Sequence, residues 1–332
     1  MVPVPMYDLP IDTIFEAHAR IRRHVRHTPL LPLPALADDF SAALRLKLEN
    51  LQVVGSFKPR GVFNTLLQLD LEARMRGVAA ASGGNHGVAL AYAAQRLGIS
   101  ATVYLPATAS PDRIARVEAW GARAILHGRN WDDAHARAVD EAEATGQTYV
   151  HPFDAEATLA GQGTLGLEIV EDVPELDCAL IAIGGGGLIG GVAAAIKRLR
   201  PSAVIIGVEP AGAPTMLRSL EAGVVRELAE VRTIADTLAP RAVSQRTLDL
   251  TRRYVDRIAL VDDHALLDAM RWLWLNANQL VEPAGAAAIA ALKTGVVDIS
   301  AFRHPVAVIC GGNASAEPVW QAYAQAAAVK QA

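Results

Sequence analysis

Lys58 stands in Gly55-Ser56-Phe57-Lys58-Pro59-Arg60-Gly61, with an aromatic on one side, a proline on the other and glycines beyond. A lysine amine whose surroundings favour its neutral form can condense with a carbonyl group. The plain alternative is a solvated loop lysine, but the crowding by Phe57 and Pro59 favours a specialised turn. In Ala81-Ser82-Gly83-Gly84-Asn85-His86-Gly87, small residues, an amide and an imidazole sit where a strand gives way to a helix. Free N–H groups and the positive end of a helix dipole meet at such a place, which suits a carboxylate. An ordinary turn capped by Asn85 would carry the same residues. Gly184-Gly185-Gly186-Gly187-Leu188 again joins a strand to a helix. Four successive glycines are entropically expensive. They are explained if the backbone must approach a phosphate and turn several N–H groups toward it; the rival is a flexible turn without a ligand. No Gly-Lys-Ser/Thr follows, so the run is not a P-loop. A dinucleotide fingerprint can only be forced onto 184–190, with Glu209 as its acid. Cys310-Gly311-Gly312-Asn313 lies beyond the last strand, while Asp236 and Glu282 stand near small residues. Singly, these read as tight turns.

The scaffold for such residues is legible as alternation. Residues 11–25 have helical spacing, 28–36 read as extended and 44–51 as a strand, followed by a helix over 61–69. Then come strand 78–81, helix 87–97, strand 101–105, helix 112–120, strand 122–126, helix 131–145 and strand 149–151. A second block has strand 178–183, helix 188–199, strand 204–208, helices 214–221, 263–277 and 284–292, and strand 306–309. Strands alternating with helices predict parallel sheets with right-handed crossovers. With 332 residues, 52% hydrophobic and 20% charged, the chain is too apolar for disorder and long enough for two domains. The net charge of −4 leaves no footprint for nucleic acid or an anionic membrane. Cys178 and Cys310 have no metal-ligand spacing, which predicts no disulfide framework and a cytoplasmic setting. No basic-then-apolar leader is read at the N-terminus. The apolar run 178–196 is broken by glycines, so no membrane span is expected.

Taken together and in this order, the segments resemble the fold-type II pyridoxal 5′-phosphate (PLP) enzymes, within them the serine/threonine dehydratase and serine racemase group. The likeness runs from His27-Thr28-Pro29-Leu30 to Gly311-Gly312-Asn313 and includes Ala160-Gly161-Gln162-Gly163-Thr164. It implies two α/β domains with parallel-type sheets and the cofactor in the cleft between them. A large PLP-binding domain would comprise residues 1–75 and 153–332, and a small substrate-closing domain 76–152, with no C-terminal regulatory domain. The resemblance implies that Lys58 holds the cofactor and later acts as the base at Cα, that Phe57 packs by the ring, and that Asn85 hydrogen-bonds the ring's 3′-oxygen. Gly184, Gly185, Gly186, Gly187 and Leu188 would cradle the phosphate, and Glu282 is counted with the cofactor-binding residues. Ser82, Gly83, Asn85 and His86 would receive the substrate carboxylate, and Asp236 is counted with the substrate-binding residues. Cys310 would meet the pyridine nitrogen. A neutral thiol there does not hold a proton on the ring, so a long-lived carbanion is disfavoured and loss of a β-substituent is favoured.

The implied activity is β-elimination, dehydration followed by deamination, of L-threonine and/or L-serine to a 2-keto acid and ammonia, by a cytoplasmic homodimer. The alternatives are another β-hydroxy amino acid (3-hydroxyaspartate or phenylserine), serine racemisation, or a non-catalytic ligand-binding relative. Three departures bear on this. Racemases of the group carry a serine where this chain has Gly83. Many relatives bind a divalent cation through the acid of a Glu-Pro pair and a second acid; Glu209 is kept, but Thr215 stands near the second, so no metal site is assigned. In 128–135, a racemase arginine that meets substrate is matched by Asp132, with Arg129 and His135 nearby.

Overall fold

In the structure, a computed structural model, residues 6–33, 40 and 44–314 are described. Helix α1 (Ile11–Ile21) buries Ile14, Ala17 and Ile21. Strands β1 (Leu30–Pro32) and β2 (Arg45–Leu48) pair antiparallel. Two short 3₁₀ turns, Glu49–Leu51 and Val53–Gly55, lead to α2 (Lys58–Leu66) and α3 (Leu71–Arg76). There follow β3 (Val78–Ala81), α4 (Asn85–Leu97), β4 (Ala101–Leu105), α5 (Pro111–Glu118), β5 (Arg123–Leu126), α6 (Trp131–Thr145) and β6 (Thr148–Tyr149). The second block runs α7 (Glu156–Asp172), β7 (Cys178–Ala182), α8 (Gly187–Leu199), β8 (Val204–Pro210), α9 (Thr215–Ala222) and α10 (Gln245–Tyr254). It closes with β9 (Arg257–Val261), α11 (Asp263–Ala277), α12 (Pro283–Lys293) and β10 (Pro305–Ile309).

The strands make two sheets, ordered β1-β2-β10-β7-β8-β9 and β5-β4-β3-β6; apart from the β1–β2 pair every ladder is parallel. The α/β class with parallel sheets is therefore as expected. β7 and β10 are buried at every residue, the signature of a parallel strand covered on both faces. α12 owes its position to small side chains: Ala284 through Leu292 are all buried, and a Cβ on Gly285 would stand 2.2 Å from Gly311 O. The four-stranded sheet lies within 76–152, and its apolar core also takes in Ile21, Val62, Phe63 and Leu66.

Four elements escape the periodicity argument. α7 is buried almost all round, so it has no polar face to set a helical period. α3, α10 and the strand β9 are short or strongly polar. The expected start of α2 at Gly61 moves to Lys58, because proline fits the first helical turn, where its missing N–H costs nothing.

Candidate active site

Lys58 opens α2, and the turn ahead of it is strained: Val54 has φ +52° and Gly55 φ +77°. A left-handed β-branched residue costs on the order of 1–3 kcal/mol and persists only where its surroundings impose it. The segment after β10 does so. Gly312 N–H donates to Gly55 O at 2.9 Å, Phe57 N–H to Cys310 O at 3.2 Å, and Ser56 bridges Gly311. Behind the turn, the fully buried Arg60 spans two carboxylates. Its Nε and Nη2 donate to Glu49 at 2.7 Å each, and its Nη1 and Nη2 to Glu168 at 2.6 and 2.9 Å. Lys47 adds contacts to Glu168 at 3.0 Å and Asp172 at 2.7 Å. Lys58 Nζ points the other way and donates to Pro152 O at 2.9 Å. Burial lowers its pKa to about 8, against the pull of Cys310 and Glu282, so a usable fraction is neutral near physiological pH.

Two glycine-bearing loops face the amine. Gly186, at φ +87°, caps the start of α8. Cβ atoms on Gly185 and Gly187 would lie 2.3 and 2.8 Å from Phe153 atoms. Packing therefore excludes side chains here, and the backbone is left bare toward the cavity. Among the described residues, no acceptor meets the N–H groups of Gly184, Gly185 and Gly186. In the other loop, Ser82 Oγ accepts from Gly84 N–H at 3.2 Å, and a Cβ on Gly87 would come within 2.5 Å of Ser82 O. The N-terminus of α4 thus turns tightly under Ser82. His86 Nε2 donates to Val150 O at 2.8 Å, while Nδ1 is buried without a partner. Burial first, then Lys58, lowers its pKa to about 3, so it brings no positive charge. The attraction for an anion at this loop comes from N–H groups and the helix dipole.

Both loops and Lys58 line one cavity of about 800 Å³. Every residue given a cofactor or substrate role from the sequence lines it: Phe57 and Lys58, the substrate set of Ser82, Gly83, Asn85, His86 and Asp236, the run from Gly184 to Leu188, Glu282 and Cys310. Asn85 Nδ2 donates to Glu282 Oε1 at 2.6 Å, and burial pushes the Glu282 carboxyl up to about 7. Cys310 Sγ lies 3.3 Å from Ala284 O, and burial raises its pKa far enough to keep the thiol neutral. Asp236 pairs with Arg113 of α5, and Asp132 of α6 with Arg241 at 3.1 Å, so both ion pairs cross from the four-stranded half to the other. Of 128–135, Asp132 reaches the cavity, as do Asn130 and Trp131; His135 stacks behind Trp131 at 4.7 Å. Glu209 is spent on α9, accepting from Met216 and Leu217 N–H at 2.8 and 2.9 Å, and Thr215 Oγ1 donates to Pro240 O. Arg113, Trp131, Phe153 and Arg241 were not foreseen, because no local pattern marks a residue that meets the site from another element.

A family model described as pyridoxal-phosphate dependent enzyme matches residues 21–311. The chain belongs to that family. It is 38% identical over 303 residues to an L-threonine ammonia-lyase of Thermotoga maritima, covering 91% of this chain and 75% of that protein. It is 40% identical over 309 residues to a phenylserine dehydratase of Ralstonia pickettii, covering 92% and 94%. A solved structure of maize serine racemase superposes with a TM-score of 0.93 at 33% identity, over 98% of this chain and all of that one. The residues present fit the cofactor. An amine with a lowered pKa, a glycine cradle with bare N–H groups and a neutral thiol share one cavity.

Proposed function

We propose that the protein deaminates a small β-hydroxy amino acid, L-threonine or L-serine: water is eliminated across Cα–Cβ, one water is taken up again when the resulting imine hydrolyses, and ammonia and the 2-keto acid are released. The observation that carries this is the pairing of a partly neutral Lys58 with a neutral Cys310 in one cavity. PLP, when bound, supplies an electron sink for charge developing at Cα. Lys58 would hold it and would take the Cα proton. Phe57 would pack by the ring and Asn85, oriented by Glu282, would donate to its 3′-oxygen. The N–H groups from Gly184 to Leu188 hold the phosphate. Ser82, Gly83, Asn85 and His86 receive the substrate carboxylate, with Asp236 and its partner Arg113 at the mouth. Cys310, a neutral thiol, would leave the ring nitrogen unprotonated, which would favour loss of the β-hydroxyl, protonated as it leaves as water, over a long-lived carbanion. We assign the segment 76–152 the part of a small domain that closes on substrate and excludes water, against the large domain of 1–75 and 153–332. We assign no metal site, since Glu209 already serves α9.

Phenylserine is the second reading. It is supported by the likeness to a phenylserine dehydratase and by a cavity with room beyond threonine, walled in part by Trp131, Val231 and Pro240. 3-Hydroxyaspartate is less well served. A second carboxylate would need a cation, and Arg113 and Arg241 are each already paired with an acid. A homodimer is supported by the exposed Leu267, Trp274 and Leu275 of α11, an apolar face of the kind that marks interfaces. A cytoplasmic setting is supported by two free, buried cysteines.

The test is a panel of L-threonine, L-serine, phenylserine and 3-hydroxyaspartate scored for 2-keto acid release, with Lys58→Ala as the control. Release from threonine or serine that disappears in Lys58→Ala is expected. A PLP-bound protein that releases keto acid from none of the four would be a ligand-binding relative, and the proposal would fall.

A further inference from the structure

Asn313 belongs to the Gly311-Gly312-Asn313 run, and the reaction as proposed gives it no work. Its side chain nonetheless joins two parts of the site. Asn313 Nδ2 donates to Asn85 Oδ1 at 2.7 Å and to Val54 O at 2.8 Å, so both of its amide hydrogens are used. Asn85 is thereby held at both ends, with Oδ1 accepting from Asn313 and Nδ2 donating to Glu282 Oε1 at 2.6 Å. An amide so held cannot flip, and it keeps one Nδ2 hydrogen uncommitted. The other partner, Val54, is the strained residue at φ +52° in the turn that delivers Lys58. Next to it, a Cβ on Gly55 would stand 2.6 Å from Asn313 Oδ1, so Asn313 lies directly against that turn. From the four-stranded half, Arg116 Nη1 donates to Asn313 O at 3.1 Å and Arg116 Nη2 to Ala314 O at 3.2 Å.

We infer that Asn313 is a positioning residue, whose single amide nitrogen fixes both the donor face of Asn85 and the turn carrying Lys58. The inference rests on the proposed contact between Asn85 and the cofactor ring. With Asn313 in place, Asn85 presents N–H and not C=O to the ring oxygen, and the lysine-bearing turn keeps its register to it. Replacing the amide nitrogen with oxygen, as in Asn313→Asp, sets an acceptor against two acceptors. Asn85 then loses its reason to hold this orientation.

The experiment uses apo-protein titrated with PLP and the pH dependence of the bound cofactor's visible absorbance. Measured are the parent, Asn313→Asp, Asn85→Ala and the double variant. A donor lost from a buried hydrogen-bond pair predicts PLP affinity lower by about tenfold in Asn313→Asp. It also predicts an absorbance midpoint raised by about one pH unit, because the ring oxyanion loses a donor. The double variant is expected to shift the midpoint no further than Asn85→Ala alone, since Asn313 reaches the ring oxygen only through Asn85, but to lower PLP affinity further, since the hold on the Lys58 turn is lost as well. A shifted Asn85→Ala beside an unshifted Asn313→Asp overturns the inference, and so do additive shifts in the double variant. An unshifted Asn85→Ala removes the ring contact itself, and the inference with it. A parent that binds no PLP would instead refute the functional reading. If Asn313→Asp does not fold, Asn313→Ala is read in the same way. Failure of both to fold overturns the inference, because a positioning residue is removable without loss of the fold.

Discussion

A Cβ built on Gly83 would stand 3.9 Å from Arg113 Nη1 and from Pro106 Cδ, an ordinary contact, and the backbone there is not left-handed. A Cβ there therefore meets only ordinary contacts, so close packing at Cβ does not account for a glycine at this position. Racemisation needs a proton donor on the face opposite Lys58, and a positioned acid of this kind contributes about 10²–10⁴-fold. With hydrogen as the side chain of Gly83, D-serine is expected to form from L-serine at least about a hundredfold more slowly than pyruvate. Gly83→Ser is expected to raise that ratio. Chiral chromatography of a timed reaction reads both, and D-serine forming as fast as pyruvate in the parent would mean another group serves the second face. Cys310 gives a companion result. Cys310→Ser keeps a neutral group and should preserve elimination. Cys310→Asp would protonate the ring nitrogen and stabilise the carbanion, lowering keto acid relative to side products. An unchanged product ratio in Cys310→Asp would place that residue away from the ring. Such single residues were legible in the sequence because each sits in a short run of unusual composition, Gly83 beside Gly84 and Cys310 before Gly311.

At the scale of elements, the first turn of α2 is held from behind by charge. Arg60 lies two residues after Lys58, and its guanidinium is sealed between Glu49 and Glu168. Removing one partner of a buried pair costs about 3–5 kcal/mol, because the remaining charges are left desolvated. Arg60→Met is expected to lose stability of that order in urea unfolding at neutral pH. Burial alone would raise the Glu168 carboxyl, but Arg60 and Lys47 hold it below its usual value. A depressed folded pKa contributes stability that is present above the unfolded carboxylate range, about pH 4, and lost as pH falls through the folded value. The gap between parent and variant should therefore narrow on acidification. A gap that is constant from neutral pH into that range would mean that the network is not what Arg60 supports. Little of this was legible. Arg60 falls inside the motif around Lys58, but its partners lie 11 and 108 residues away, and α7, which brings Glu168, shows no amphipathic period. The alternating strands and helices were legible because each buries one face or sits wholly inside a parallel sheet.

At the scale of the molecule, the cavity lies where the two sheets' loops meet, and the residues that cross it are the part a linear reading could not supply. Strand order in a sheet follows from crossovers and burial, but Arg113 meets Asp236 and Asp132 meets Arg241 across 123 and 109 residues of chain. Each pair ties a helix of the four-stranded half, α5 or α6, to the segment 236–241 of the other half. If 76–152 closes on substrate, these pairs stabilise the closed form. All four side chains are roughly half-exposed, so each pair is worth about 0–1 kcal/mol and is screened by salt. Removing both, in Arg113→Ala with Arg241→Ala, is expected to raise KM for L-threonine by roughly threefold to tenfold. The parent's KM should climb with ionic strength toward that of the variant, whose own KM should respond little, because the screened pairs are gone. Lys58 and the glycine cradle are untouched by these changes, so PLP affinity should hold. A double variant with the parent's KM and the parent's salt dependence would separate these ion pairs from closure, leaving the 76–152 segment to be held by its apolar contacts with Val62, Phe63 and Leu66.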